Sequence, residues 1–118
     1  MNEQVFKART KQLALKVIEL VGELPVGKAG DIFGRQILKS GTSAGANYRA
    51  ACRGKSVADM IHKLSIVEEE ADETVYWLEL LGESRLVPST RLSWLLKETN
   101  ELVAMTVASI KTLRARRS

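Results

Sequence analysis

Apolar residues recur at spacings of three and four along most of the chain, and turn-forming residues gather in three places. The first break is Leu24-Pro25-Val26-Gly27-Lys28, the second is Arg53-Gly54-Lys55-Ser56, and the third runs from Gly82 to Pro88. The intervals predict helices over 3–24, 29–53, 56–82 and 88–115. The first sets Phe6, Leu13, Val17, Leu20, Val21 and Leu24 on one broad face, and Pro25 ends it by disfavouring helical geometry at Leu24. The second carries Phe33, Ile37, Gly41, Ala44, Tyr48 and Ala51. The third carries Met60, Leu64, Val67, Ala71, Val75, Leu78 and Leu81. Its start shows Ser56 with Asp59 three residues on, a capping pattern. The fourth opens at Pro88, which suits a first helical turn, and offers Leu92, Leu95, Leu96, Val103, Ile110 and Leu113. No segment alternates with period two. Short connections make neighbours antiparallel, so the pattern predicts one all-α domain over 1–118, an antiparallel up-down-up-down four-helix bundle.

Two local features exceed that scheme. Ser40-Gly41-Thr42-Ser43-Ala44-Gly45-Ala46-Asn47 lies inside the second helix, where each glycine costs about 1 kcal/mol relative to alanine. A close helix crossing would offset that cost. A phosphate-cradling loop would need GxxxxGK[ST] after a strand, and neither is present. Ile66, Trp77 and Leu80 widen the third stripe beyond one seam, so the bundle has more apolar positions than it can hide alone.

Charge changes the picture more than composition does. Hydrophobic residues are 45% and charged residues 27% of the chain, which excludes general disorder. No apolar run is long enough for a membrane span. The start, MNEQVFKARTKQ, has no apolar signal core, so a cytoplasmic location is expected. The formal net charge is +4, yet 1–24 carries +1, 25–55 carries +5, 56–83 carries −7 and 84–118 carries +5. Folding the second helix onto the third sets Lys39 near Glu70, Gln36 near Glu73, Arg35 near Thr74 and Asn47 near His62. Arg35, Lys39 and Asn47 on one side, and Glu69, Glu70, Asp72 and Glu73 on the other, are therefore expected in contacts between helices or between subunits. The alternative use of the basic segments is to meet a polyanion such as RNA or DNA.

Catalytic chemistry has little to work with. One cysteine (Cys52) and one histidine (His62) exclude a disulfide framework and a zinc site of the usual kind. Glu68-Glu69-Glu70-Ala71-Asp72-Glu73 lacks the Glu-x-x-His of bundle di-iron centres. One class of RNA-cleaving helical domain places His four to six residues after Arg, whereas Arg53 and His62 are nine apart. Cys52 beside Arg53 has no visible base, so buried packing is expected of it. No cofactor is expected. Arg49 and Arg53 sit one turn apart near a helix end, facing either acids of a neighbouring helix or nucleic-acid phosphate. Tyr76-Trp77 and Trp94 could stack bases or anchor helix packing. Folding the third helix onto the fourth sets Trp77 close to Trp94.

The run Gly45-Ala46-Asn47-Tyr48-Arg49-Ala50-Ala51-Cys52-Arg53 and the later Lys63-Leu64-Ser65-Ile66-Val67-Glu68-Glu69-Glu70-Ala71-Asp72-Glu73-Thr74-Val75-Tyr76-Trp77-Leu78-Glu79-Leu80-Leu81 closely resemble a bacterial four-helix-bundle family. That family includes the proteins encoded by intervening sequences inside 23S ribosomal RNA genes and the accessory protein of diversity-generating retroelements. The resemblance runs from about Phe6 to Leu113. Where the intervening-sequence branch reads like SIPSNIAEG, this chain has Thr42-Ser43-Ala44-Gly45-Ala46-Asn47-Tyr48-Arg49. The resemblance implies a ring of five bundles and no catalytic residues. In the retroelement branch it implies binding of reverse transcriptase and nucleic acid through a basic surface. The expected function is a non-enzymatic oligomeric adaptor for RNA, DNA or a nucleic-acid enzyme such as a reverse transcriptase. Its expected contributors are Arg49, Arg53, Lys55, Lys111, Arg114, Arg116 and Arg117. The alternative is a structural or protein-interaction ring with no nucleic-acid role.

Overall fold

The computed structural model describes residues 2–117, and side chains from residue 2 to residue 116. Four helices follow one another: α1 (Glu3–Gly22), α2 (Lys28–Cys52), α3 (Val57–Glu83) and α4 (Ser89–Arg117), with no strand among the described residues. No end departs from its sequence-predicted position by more than two residues. The helices form an antiparallel rod of 49 × 21 × 21 Å.

The ends have local causes. Asn2 caps α1, its side-chain oxygen accepting from the backbone N–H of Gln4 at 2.7 Å and of Val5 at 3.3 Å. Ser56 caps α3 by accepting from the Asp59 N–H at 3.0 Å. Asp59 returns a bond to the Lys55 N–H, also at 3.0 Å, one residue earlier than a standard capping box would. That backbone bond, with Lys63, holds the Asp59 carboxyl below its usual range. Gly27 precedes α2 at φ 150°, a conformation that side chains disfavour. Arg85 takes a left-handed φ of 64° in the α3–α4 turn.

The core is one cluster drawn from all four helices, including Phe6, Leu13, Leu20, Ile37, Leu78, Leu81, Leu92, Leu95 and Leu102. Its few polar members are satisfied locally: the hydroxyls of Thr99 and Thr106 donate to the carbonyls of Leu95 and Leu102 one turn earlier. The glycine-rich stretch lies under a close crossing with α1. A Cβ at Gly41 would stand 2.9 Å from Val17, and one at Gly45 would stand 3.2 Å from Thr10.

The α2–α3 and α3–α4 seams correct four sequence expectations. Thr74 meets Ser40, with 2.8 Å between hydroxyls, rather than Arg35. Small hydroxyl side chains fit that buried seam, whereas Arg35 needs solvent. Trp77 packs against Phe33 of α2, with ring centroids 5.8 Å apart. Trp94 belongs instead to the series Arg91, Trp94, Glu98, Glu101 on the flank of α4 that turns toward α1. The two tryptophans are therefore not partners. The expected contacts of Arg35 and Lys39 with Glu69, Glu70, Asp72 and Glu73 are absent within the chain. Both cations lie on the outer face of α2, and Glu69, Asp72 and Glu73 lie on the outer face of α3. Asn47 turns inward on its own helix and donates to the Ser43 carbonyl at 2.9 Å. Among the described residues, ion pairs cross between α1 and α4: Arg9 with Glu98 (2.6 Å) and Glu101 (2.9 Å), and Arg91 with Glu23 (2.7 Å).

Candidate nucleic-acid interface

Antiparallel connection gathers the two α2 and α4 C-termini with the α1 and α3 N-termini at one end of the rod. Arg49, Arg53 and Lys55 come from the end of α2 and the turn after it. Lys111, Arg114 and Arg116 come from the last turns of α4. All six side chains are exposed. Arg117 shares the helix, but its side chain lies outside the described residues. Cations at the C-terminal turns of α2 and α4 also meet the negative ends of those helix dipoles.

Dividing the rod at mid-height sharpens the asymmetry. The half built from residues 1–12, 42–69 and 104–118 holds eleven basic and four acidic side chains, or +7. The other half holds seven basic and ten acidic, or −3. Charge sorted by segment in the sequence is thus sorted by height in the fold.

Lys7 and Lys11 extend the basic surface, and sequence reasoning missed both. They stand one turn apart on α1 and, with Arg49 of α2, border an open groove of about 480 Å³ floored by Thr42, Gly45 and Ala46. Folding the first helix back about Pro25 would have found them. Lys7 is paired with Glu3 at 2.9 Å, and the bond holds the Glu3 carboxyl below its usual range.

A second opening of about 410 Å³ lies at the same end, between α4 and the facing ends of the other helices. Tyr48, Cys52, Met60 and Met105 line it, and Arg116 and Glu3 stand in its wall. Burial pushes the Cys52 thiol and the Tyr48 hydroxyl up, so both are neutral at physiological pH.

The aromatic residues expected to stack bases are elsewhere. Tyr76 is 53% exposed but stands on the outer face of α3 among Glu69, Asp72, Glu73 and Glu79, a surface that repels phosphate. Trp77 is spent on Phe33, and its indole N–H donates to Glu73 at 3.3 Å. Among the described residues no three His, Cys, Asp or Glu side chains gather as a metal site would require, and no helix is long and apolar enough to cross a membrane.

The model of the 23S rRNA-intervening sequence protein family matches residues 2–108. The chain belongs to that family. A crystal structure from Bacteroides thetaiotaomicron, of a protein with unknown function from the S23 ribosomal protein family, is similar along nearly its whole length. The TM-score is 0.87 at 34% identity, covering 94% of this chain and 99% of that one. Among curated proteins none matches significantly. For the intervening-sequence family the four-helix architecture is thereby common ground. The stretch that matches its model contains Arg49, Arg53 and Lys55 and stops before Lys111, Arg114 and Arg116.

Proposed function

We propose that this protein is a non-enzymatic oligomeric adaptor that binds RNA or DNA, or a nucleic-acid enzyme such as a reverse transcriptase, through its basic pole. The observation that carries this reading is the collection of Arg49, Arg53, Lys55, Lys111, Arg114 and Arg116 at one end of a rod whose halves carry +7 and −3. Lysine and arginine neutralise phosphates and release counterions, so such a pole favours a polyanion in a salt-dependent way. The setting is the cytoplasm.

The oligomer in this reading is a closed ring of five. Its support is a mismatch left on each single copy. The outer face of α2 presents Lys28, Arg35, Lys39, Arg49 and Arg53, and the outer face of α3 presents Glu69, Asp72, Glu73, Glu79 and Glu83. None of these ten forms an ion pair within the described chain. The two faces occupy neighbouring corners of the bundle and complement each other between copies, the heterologous arrangement that closes into a ring.

Filter binding to RNA at two salt concentrations tests the function. Affinity that falls steeply with salt, and a drop in both affinity and salt slope in Arg53→Glu with Lys111→Glu, is expected. Absence of binding at low salt refutes the reading. A protein partner captured equally after nuclease treatment and at high salt would favour the alternative, a ring for protein interaction alone.

A further inference from the structure

The opening beside Cys52 lies where phosphates would be held, yet its walls are unlike a phosphate site. Tyr48, Met60, Leu64, Met105 and Leu113 give it apolar walls, and Glu3, Ser109, Thr112 and Arg116 give it a polar surface of similar extent. Its volume of about 410 Å³ falls within the roughly 300–1,000 Å³ of small-ligand pockets. The Tyr48 and Cys52 groups are neutral, and the Glu3 carboxylate in the wall is paired with Lys7 at 2.9 Å. Met60 and Met105 reach the space from different helices, the Met105 sulfur accepting from the Arg9 guanidinium at 3.2 Å, and methionine side chains pack well against flat aromatic rings. Arg116 in the wall supplies a cation at the mouth, and Lys111 and Arg114 lie on other faces of the same last turns of α4. The occupant that fits is flat, uncharged and apolar-faced, with polar edges, and it is tethered to negative charge.

We propose that this cavity takes one unpaired base of a nucleic-acid strand whose phosphates rest on the basic pole. The inference builds on the proposed function and narrows its substrate class to single-stranded or locally unpaired nucleic acid. A duplex keeps its bases stacked and offers the cavity nothing without paying to extrude one. The Trp and Tyr residues that might have formed a stacking platform lie away from the pole, so base contact is concentrated in this one recess.

The test measures binding of single-stranded RNA, single-stranded DNA of the same sequence, and the corresponding duplexes to the full chain at one salt concentration. The strands carry 2-aminopurine as a fluorescent base. Single strands are expected to bind about tenfold more tightly than duplex, the order of one stacked base, with a fluorescence change on binding. Ala108→Trp, which fills the cavity from an exposed position on α4, is expected to bring single strands down to the duplex level while the salt slope stays unchanged. Met60→Ala, which leaves that entrance open and enlarges the recess, gives a second reading should the tryptophan disturb folding, and a partial loss is expected. A preference for RNA over DNA supports the cavity with a contribution from the hydroxyls of Ser109 or Thr112, and equal binding supports base contact alone. Salt-dependent binding with no preference for single strands and no effect of either variant overturns the base site and leaves the proposed function standing. Failure of every nucleic acid to bind at low salt overturns both.

Discussion

Gly41→Ala is the sharpest test of how this fold is built. Alanine is the better helix former by about 1 kcal/mol, so a helix considered alone predicts stabilisation. The crossing predicts the reverse. A methyl group at Gly41 would meet Val17 Cγ2 at 2.9 Å, Cγ1 at 3.1 Å and Cβ at 3.3 Å. Val17 is fully buried and β-branched, so it has no rotamer that withdraws all three atoms. Relief then requires the two helices to part, at the roughly 1–3 kcal/mol that overpacking costs. Offsetting the propensity gain leaves a net loss of about 1 kcal/mol. For a domain of this size that lowers Tm by about 4 °C. Urea denaturation followed by circular dichroism measures it, with two controls. Gly22→Ala has nothing within 4 Å of the added atom and should be neutral or slightly stabilising. Val17→Ala removes the obstructing methyls, so the double variant should recover about 1 kcal/mol relative to additivity. Gly41→Ala as stable as the parent, or additive with Val17→Ala, would show that the glycine does not serve the close approach.

Two further outcomes rest on polar contacts. Arg9→Ala should cost about 1–2 kcal/mol in urea denaturation, because Glu98 retains only 12% side-chain exposure and loses a two-point partner; Arg9→Lys should recover part of the loss. The Asp59 carboxyl is depressed below its ordinary value of 3.8, so its contribution is fully present above that value and fades as pH falls through the lower folded one. Asp59→Asn should therefore lower stability at neutral pH and flatten the acid side of the stability curve, as thermal melts across that range would show.

Height along the rod was legible in the sequence, and flank was not. Three breaks and short connections fix which residues lie level, so Trp77 and Trp94 were placed at about the same height. Their opposite flanks, one toward Phe33 and the other toward α1, depend on small rotations of each helix that a stripe several residues wide leaves undetermined. The same limit explains Arg35 and Lys39, which reach the level of the α3 acids but point outward at a different corner. Gly41 and Gly45 announced a close crossing because a mid-helix glycine needs compensation, yet the partner, α1 rather than α3, could not be read from them. Ser56 and Asp59 were legible because capping is local. The basic pole was legible only in part. Arg49, Arg53 and the α4 cations stood out as clusters, whereas Lys7 and Lys11 look like ordinary surface residues until α1 lies against α2.

The two charge separations constrain one another. Basic and acidic corners on α2 and α3 suit side-by-side contact, and a cyclic arrangement of parallel rods then points every basic pole the same way. In the proposed ring, five poles of +7 would make one face of about +35, and a long strand would engage several at once. A two-fold antiparallel pairing would instead set each pole beside a neighbour's −3 half and cancel the effect. Arg35→Glu with Lys39→Glu separates these cases, since both residues lie on the α2 face in the acidic half and away from the pole. Light scattering should show the mass falling toward a single copy. Affinity for a short oligonucleotide that spans one pole should change little, while affinity for a long strand should fall by about a hundredfold or more, the scale of lost multivalency. Equal losses for short and long strands would place those two cations in the binding surface itself, and an unchanged mass would remove the charged corners from the assembly.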